Sequence, residues 1–144
     1  MYSVIETSGF QQKVTLGETL KVPRLEVEKG QNHVYSNVLL YSSEGESTVG
    51  TPHIAEASVT VEVLTHGQGD KIKVFKRKRR KRYRKTQGHR QDYSEVIVTQ
   101  IANGSETHSA EEVLVSRARA RVTALEKQKI HTEAKTSQTE SGDK

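Results

Sequence analysis

The chain has 144 residues, enough for one compact domain with tails but too few for two sizeable cores. Only 32% of the residues are hydrophobic, none is cysteine, and the net charge is +5. The lack of cysteine excludes a disulfide scaffold, a thiolate metal site and a cysteine nucleophile. No apolar run approaches the length of a membrane span, and no secretory signal opens the chain, so we expect a soluble, basic, cytoplasmic protein.

Short strands separated by turn residues are predicted along the N-terminal half, because apolar and polar residues alternate there. The predicted strands are residues 2–6, 13–16, 19–22, 24–28 and a longer β-rich stretch at 34–41. The continuous run Val38-Leu39-Leu40-Tyr41 indicates burial on both faces. Residues 42–47, with the sequence SSEGES, are a polar hairpin connection.

The clearest strand is residues 59–66, in which three valines are in phase. Residues 67–70 are predicted as a tight hairpin turn, since Gly67-Gln68-Gly69 joins two strand signals. The alternative, the start of a dinucleotide fingerprint, would need a following helix. Residues 71–75 start a further strand that runs into the residues after it, and residues 95–101 are another predicted strand. The sequence therefore predicts an all-β fold, a small barrel or sandwich.

Residues 102–144 differ in composition and are interpreted as a C-terminal extension of a β body that spans 1–101. Ser109 and Glu112 have the spacing of a capping box, which predicts a helix over about 110–130. The polar residues after it, 132–144, are predicted to be disordered. The arginines Arg117, Arg119 and Arg121 alternate with small residues on the predicted helix, and they fit either a solvated face or a second contact with the polyanion that the basic segment below would bind.

Positive charge is concentrated in one segment between two strand signals. Residues 1–70 carry four basic and nine acidic residues, and 91–144 carry seven and nine. Residues 71–90 carry twelve basic residues and no acidic one. Such a block could be buried only at a cost of several kcal/mol per unpaired charge, and it contains no carboxylate with which to pair. We therefore expect the segment to be mobile when free and to order on a dense polyanion.

A nucleic-acid backbone is the polyanion that this segment fits, because neutralising phosphates releases condensed counterions. Arginine adds forked hydrogen bonds to phosphate, and Phe75 and Tyr83 could stack on unpaired bases. Gly88 is expected to bend the chain at the end of the block. A nuclear import signal or an inert solvated surface is the bland alternative, but those segments are shorter or lie in free tails. The residues predicted to bind RNA are Lys73, Lys76, Arg77, Lys78, Arg79, Arg80, Lys81, Arg82, Tyr83, Arg84, Lys85, Gly88, His89, Arg90 and Gln91.

These motifs together resemble the bacterial-type large ribosomal subunit protein twenty-one family. The resemblance rests on residues 1–7, Gly9, Gln11 and Lys13-Val14 at the start. In the middle it rests on Val38-Leu39-Leu40, Val49-Gly50-Thr51-Pro52 and residues 59–66. It is strongest where the basic run 73–85 is followed by Gly88-His89-Arg90-Gln91 and the aromatic Tyr93. Three positions depart from the family pattern: Asp92 stands where proline is usual, and Phe10 and Gln12 stand where lysine and tyrosine are common.

The resemblance implies a β body with the basic segment, about 74–92, projecting as a long loop or ribbon between two strands. It further implies a structural constituent of the large ribosomal subunit that binds ribosomal RNA and stabilises its fold during assembly and translation. The implied protein neighbour is the large-subunit protein numbered twenty. The expected location is the cytoplasmic ribosome, with an organellar ribosome as the alternative.

An enzyme is not predicted, because no nucleophile elbow, phosphate loop or paired-carboxylate motif is present. No catalytic residue, metal ligand, cofactor, membrane contact or small-molecule substrate is predicted; the six histidines show no ligand spacing. The alternative function is a free nucleic-acid chaperone or DNA-compacting protein, which would bind many polyanions without preference for one particle.

Overall fold

The computed structural model describes residues 1–43, 45–104 and 106–140, with side chains described as far as Gln128. Eleven strands precede one helix in the described chain. The strands are β1 Tyr2–Thr7, β2 Phe10–Val14, β3 Thr19–Pro23, β4 Asn32–Tyr35, β5 Val38–Ser43, β6 Glu46–Val49, β7 Ala57–Gln68, β8 Ile72–Lys78, β9 Tyr83–His89, β10 Asp92–Asn103 and β11 Glu106–Ser109, and the helix is α1 Glu112–Glu140. The predicted all-β class with a C-terminal helix is confirmed.

The body consists of two antiparallel sheets. One has the strand order β2-β1-β5-β6, and the other has the order β11-β10-β7-β4, with β3 also paired to β10. A third, two-stranded sheet is formed by β8 and β9 alone. On β1, Ser3, Ile5 and Thr7 are buried and the residues between them are partly buried, so every second side chain of this strand faces the inside of the body.

One hydrophobic core lies between the two body sheets. Ile5, Val14 and Val38 contribute to it from the first sheet, and the in-phase valines of β7 contribute from the second. Val59, Val61 and Val63 are fully buried, as the sequence pattern predicts. Because this core is made of short aliphatic side chains on paired strands, the body is a small rigid support for whatever projects from it.

The pair β7–β10 is the longest ladder in the body. Its register runs from Ala57 opposite Asn103 to Gln68 opposite Asp92, with irregularities between Glu95 and Val96 and between Val98 and Gln100. Such bulges increase the local twist and allow twelve-residue strands to bend with the body. The end of this ladder at Gln68 and Asp92 is where the third sheet begins.

The predicted strand at 24–28 is wrong. Those residues follow Pro23 and form no ladder. The segment is instead held by side chains: Leu25 N donates to Ser94 Oγ at 2.9 Å, and His66 Nε2 contacts Val27 O at 2.8 Å. Ser94 Oγ also lies 2.8 Å from His66 Nδ1. Leu25 and Val27 pack against the core, so the alternating apolar residues share a core-facing side without forming a strand.

Other boundaries shift for local reasons. The stretch 34–41 is divided between β4 and β5, which belong to different sheets. Strand β2 begins three residues earlier than predicted, because the two-residue turn Ser8-Gly9 pairs Thr7 directly with Phe10. Both turn residues have positive φ, 49° and 80°, as the mirror-image hairpin turns require. The 42–47 connection is also tighter, since Ser43 already pairs with Glu46.

Helix α1 packs on β7 and β10 through a few specific contacts. Arg119 makes two hydrogen bonds to the Glu62 carboxylate, 2.8 Å from Nε to Oε1 and 2.7 Å from Nη2 to Oε2. Val122 is buried, and Leu114 fits so closely to Gly17 that a Cβ there would lie 2.7 Å from its Cδ1. The helix is therefore docked through one face.

The predicted bounds and cap of the helix differ from those in the structure. Ser109 ends β11, where it pairs with Gln100, so it does not cap the helix. The first backbone hydrogen bonds of the helix are instead accepted by Glu111 O, from Leu114 N and Val115 N. The helix runs to Glu140, through the first nine residues of the segment predicted to be disordered. Propagation adds one hydrogen bond per residue, and no proline or glycine interrupts the sequence before Gly142. Residues 141–144 lie outside the described residues.

Candidate nucleic-acid interface

The basic segment forms an antiparallel ribbon that continues the β7–β10 ladder away from the body. Strands β8 and β9 pair from Ile72 opposite His89 to Lys78 opposite Tyr83. The junction is closed by a backbone hydrogen bond of 2.8 Å from Gly69 N to Gln91 O. The prediction of a hairpin turn at 67–70 is therefore wrong: Gly67 and Gln68 are still in β7, and the chain passes from one ladder to the next.

The ribbon turns at its tip through four cationic residues, Arg79, Arg80, Lys81 and Arg82. Arg80 and Arg82 adopt left-handed backbone conformations with φ of 56° and 50°. Such conformations are uncommon for a residue with a Cβ. The tip therefore holds cations at positions where turns usually have glycine or asparagine.

Like charges face one another across the ribbon. Lys76 lies opposite Lys85, and Arg77 lies opposite Arg84. Directly opposed side chains on antiparallel strands approach within about 4.5–5.5 Å at Cβ, and equal charges at that distance destabilise the pair. A two-stranded ribbon is also marginal in water by itself. The ribbon is thus an element whose own side chains oppose its pairing unless anions are present.

The cations of the ribbon are exposed and lack carboxylate partners. Among the described residues, the salt bridges of the protein involve Lys29, His53 and Arg119 but no cation between Lys71 and Arg90. Every residue of β9 is exposed, and in β8 only Val74 is partly covered. The ribbon's positive charge is therefore available to an external anion.

The two aromatic side chains of the ribbon lie on opposite faces. Phe75 is opposite Thr86, whereas Tyr83 is opposite Lys78 on the other face. Phe75 is 58% exposed and Tyr83 39% exposed, and Lys78 Nζ lies 5.5 Å from the Tyr83 ring centroid. Each face therefore combines cations with one exposed ring. The strand register places the two rings on opposite faces, and the sequence could not predict this register because the conformation of the tip turn was not known.

The residues after the basic run are built into the base of the ribbon. Gly88 lies inside β9 without the expected bend, so that prediction is wrong; a Cβ there would lie 2.5 Å from Lys71 Cε. Arg90 Nη1 donates to Gly69 O at 3.0 Å, and His89 Nε2 lies 3.3 Å from Gln91 Oε1. Lys71, which is absent from the predicted site, also belongs to the base, as its place in the cationic block could have indicated.

Other kinds of site find little support in the described part of the chain. No group of three or more potential ligands among the described residues could hold a metal ion. Among the described residues, no helix combines the length and the apolar composition needed to cross a membrane. All three arginines are exposed, but Arg119 pairs with Glu62, whereas Arg117 and Arg121 lie on another face of the helix, as expected for helical spacing.

A rigid β body that carries a solvent-exposed cationic ribbon is typical of structural proteins that bind a polyanion. Comparisons with known proteins agree with this class. A family model described as "Ribosomal prokaryotic L21 protein" matches residues 1–101, which include β1 to β9 and most of β10 but neither β11 nor α1.

The curated relatives have one name in common. A protein of Photobacterium profundum called "Large ribosomal subunit protein bL21" is 48% identical over 102 residues, 71% of this chain and 99% of that protein. Proteins of the same name from Albidiferax ferrireducens and Coxiella burnetii are 46% and 45% identical, over 71% and 72% of this chain and 99% and 90% of the relatives. The chain belongs to the prokaryotic L21 family of ribosomal proteins, and as a member it is a ribosomal structural protein and not an enzyme.

Proposed function

We propose that this protein binds large-subunit ribosomal RNA through the β8–β9 ribbon and stabilises the RNA fold during assembly and translation. The observation that carries the proposal is the register of the ribbon, which sets Lys76 against Lys85 and Arg77 against Arg84. Because these like charges oppose the pairing of the two strands, a stable ribbon requires anions against both of its faces.

The geometry favours RNA over a small anion. The cationic ribbon is seven residues long on each strand, or about 23 Å at 3.3 Å per residue, and its cations lie on both faces and at the tip. A single phosphate would contact only a few of these side chains. An irregular RNA crevice brings several phosphate backbones to both sides of such a ribbon, and its unpaired bases can stack on Phe75 and Tyr83.

The body determines where the ribbon enters the RNA. The ribbon continues the β7–β10 ladder, and the Gly69–Gln91 and Arg90–Gly69 hydrogen bonds fix its base. We expect the described body to remain rigid while the ribbon tip adjusts to the RNA. The role of Arg90 is then to hold the ribbon base, in addition to any phosphate contact.

By the family resemblance, the neighbouring protein in the cytoplasmic large subunit is the one numbered twenty. Chemical cross-linking of intact subunits tests this part. A cross-link between that protein and this body supports the neighbour relation, and cross-links confined to other proteins would contradict it.

The function is tested by sedimentation of cell extracts through sucrose gradients at increasing salt. A ribosomal protein remains with the large subunit through moderate salt and leaves only at high salt, since many phosphate contacts must be broken. A free nucleic-acid chaperone or DNA-compacting protein would spread across the gradient instead. Distribution away from large subunits at low salt would contradict the proposed function.

A further inference from the structure

A cleft lies at the base of the ribbon, on the side of the body. It has a volume of about 620 Å³ and is formed by three separate segments: the β1–β2 hairpin tip, the end of β3, and the residues that follow β9. Ligand pockets commonly have volumes of about 300–1,000 Å³. The ribbon leads directly into the cleft wall, because Gln91 and Asp92 line it.

The most exposed ring of the body lies in this cleft. Phe10 is 66% exposed, although it is large and apolar. It is held there by the Ser8-Gly9 turn, whose two positive φ angles pair Thr7 with Phe10 at the end of the hairpin. A fixed ring that leaves most of its surface in solvent provides a flat apolar face for a ligand.

The other apolar walls of the cleft are also rigid. Tyr93 pairs with Pro23 on one side and with Gly67 on the other. A Cβ on Gly67 would lie 2.8 Å from Tyr93 Cζ, so the Tyr93 ring packs directly on that glycine. Lys21 Nζ lies 4.8 Å from the centroid of the Tyr93 ring, so the lysine occupies one face of that ring. Phe10 is therefore the ring with an open face.

The charges of the cleft favour a neutral ligand. Among the described residues that line it, Lys21 is the cation and Asp92 the anion, so the formal charges cancel. Asp92 Oδ1 accepts a hydrogen bond of 2.8 Å from Gln68 Nε2. A phosphate would be repelled by the Asp92 carboxylate. A nucleobase is neutral and flat, and its amino group can donate to a carboxylate or to an amide oxygen.

We propose that this cleft binds one unpaired RNA base, stacked on Phe10, with Asp92 and Gln91 as hydrogen-bond partners for the base edge and Lys21 beside the adjoining phosphate. The proposal rests on RNA binding by the neighbouring ribbon. It adds a base-binding subsite on the body, where the ribbon alone would contact mainly the backbone.

The test compares two polyanions, a short oligoadenylate and inorganic polyphosphate of similar charge, because only the first carries bases. The variant Phe10→Leu keeps an apolar side chain without a ring, and its exposure makes unfolding of the body unexpected. Loss of one stacked base should weaken oligoadenylate binding about 5- to 150-fold and leave polyphosphate binding unchanged. The control is Val49→Ala, which changes another exposed apolar strand residue, 69% exposed, on β6.

A second variant reports on stacking directly. The chain has no tryptophan, so Phe10→Trp introduces a single indole that keeps a flat ring in the cleft. We expect its fluorescence to be quenched by oligoadenylate and not by polyphosphate. If the original protein binds both polyanions while Phe10→Leu changes neither affinity and the indole is not quenched, the cleft proposal is overturned and ribbon binding stands. If the original protein binds neither polyanion, the proposed function itself fails.

Discussion

Replacing Arg79, Arg80 and Arg82 with alanine removes three charges from the ribbon tip and leaves the body unchanged. Arg80 and Arg82 have positive φ, but alanine also carries a Cβ, so the backbone strain at these positions is the same in both proteins. None of the three residues takes part in a salt bridge in the described chain. The substitution therefore isolates the effect of charge on RNA binding.

The magnitude follows from counterion release. Each lost phosphate contact lowers the log–log salt slope by about 0.7 on single strands and about 0.9 on duplex, so three contacts lower it by about 2–3. If about 8 ribbon cations contact phosphate, the starting slope is near −6. At 0.1 M salt the same three contacts correspond to about 100- to 500-fold weaker binding.

The assay is fluorescence anisotropy of a labelled large-subunit ribosomal RNA fragment, titrated at several salt concentrations. The matched control replaces Arg24, Arg117 and Lys127, three exposed cations outside the ribbon, with alanine and so changes the net charge equally. We expect the control to keep most of the salt slope. Equal slopes for the two triple variants would refute the reasoning, since net charge and not the ribbon would then govern binding.

Three further predictions concern stability, measured by urea denaturation of the full chain. Arg119→Ala leaves the nearly buried Glu62 carboxylate without its two hydrogen bonds and should lower the free energy of unfolding by about 1–2 kcal/mol. This loss is smaller than for a fully buried pair because Arg119 is itself largely exposed. Adding Glu62→Gln in the same chain should recover part of the loss, and no recovery would contradict a buried-charge origin. Tyr35→Phe should alter the free energy of unfolding by less than about 1 kcal/mol, since burial of the Tyr35 hydroxyl is only partly offset by the neighbouring Thr7 side chain. Burial raises the pKa of Tyr35 above 10.0, so the unfolded chain loses this proton first and stability should fall above about pH 10 in the original protein but less in the variant; identical pH profiles would contradict it. Ser94→Ala removes the hydroxyl that joins His66 to the 24–28 segment and should cost about 1–3 kcal/mol, and proteolysis should then begin within 24–28; unchanged stability would show that the network does not hold the segment.

The strands of the body could be predicted where a period of two coincides with one buried face. Residues 59–66 and 95–101 fall within β7 and β10, and 19–22 fall within β3. The segment 24–28 shows the same alternation but forms no ladder, because its backbone is held by Ser94, 69 residues away from Leu25. Local sequence contains no information about such a distant side-chain partner.

The ribbon was predicted from charge, and its pairing was not. A run of cations with no acidic residue identifies a segment that needs an anion. The register that opposes Arg77 to Arg84, however, follows from a tip with two arginines at positive φ, a conformation that residue types alone do not indicate. The cleft at Phe10 also escaped sequence analysis, because three segments meet there only in the folded body.

Ultraviolet cross-linking in purified large subunits tests most directly whether the ribbon lies within RNA. No glutamate occurs between Val63 and Ser94, so cleavage after glutamate releases the whole ribbon in one peptide, residues 63–95. Mass spectrometry should find nucleotide adducts on this peptide, at Phe75 or Tyr83, in assembled subunits. Adducts confined to peptides of the body, with the ribbon peptide unmodified, would contradict the account.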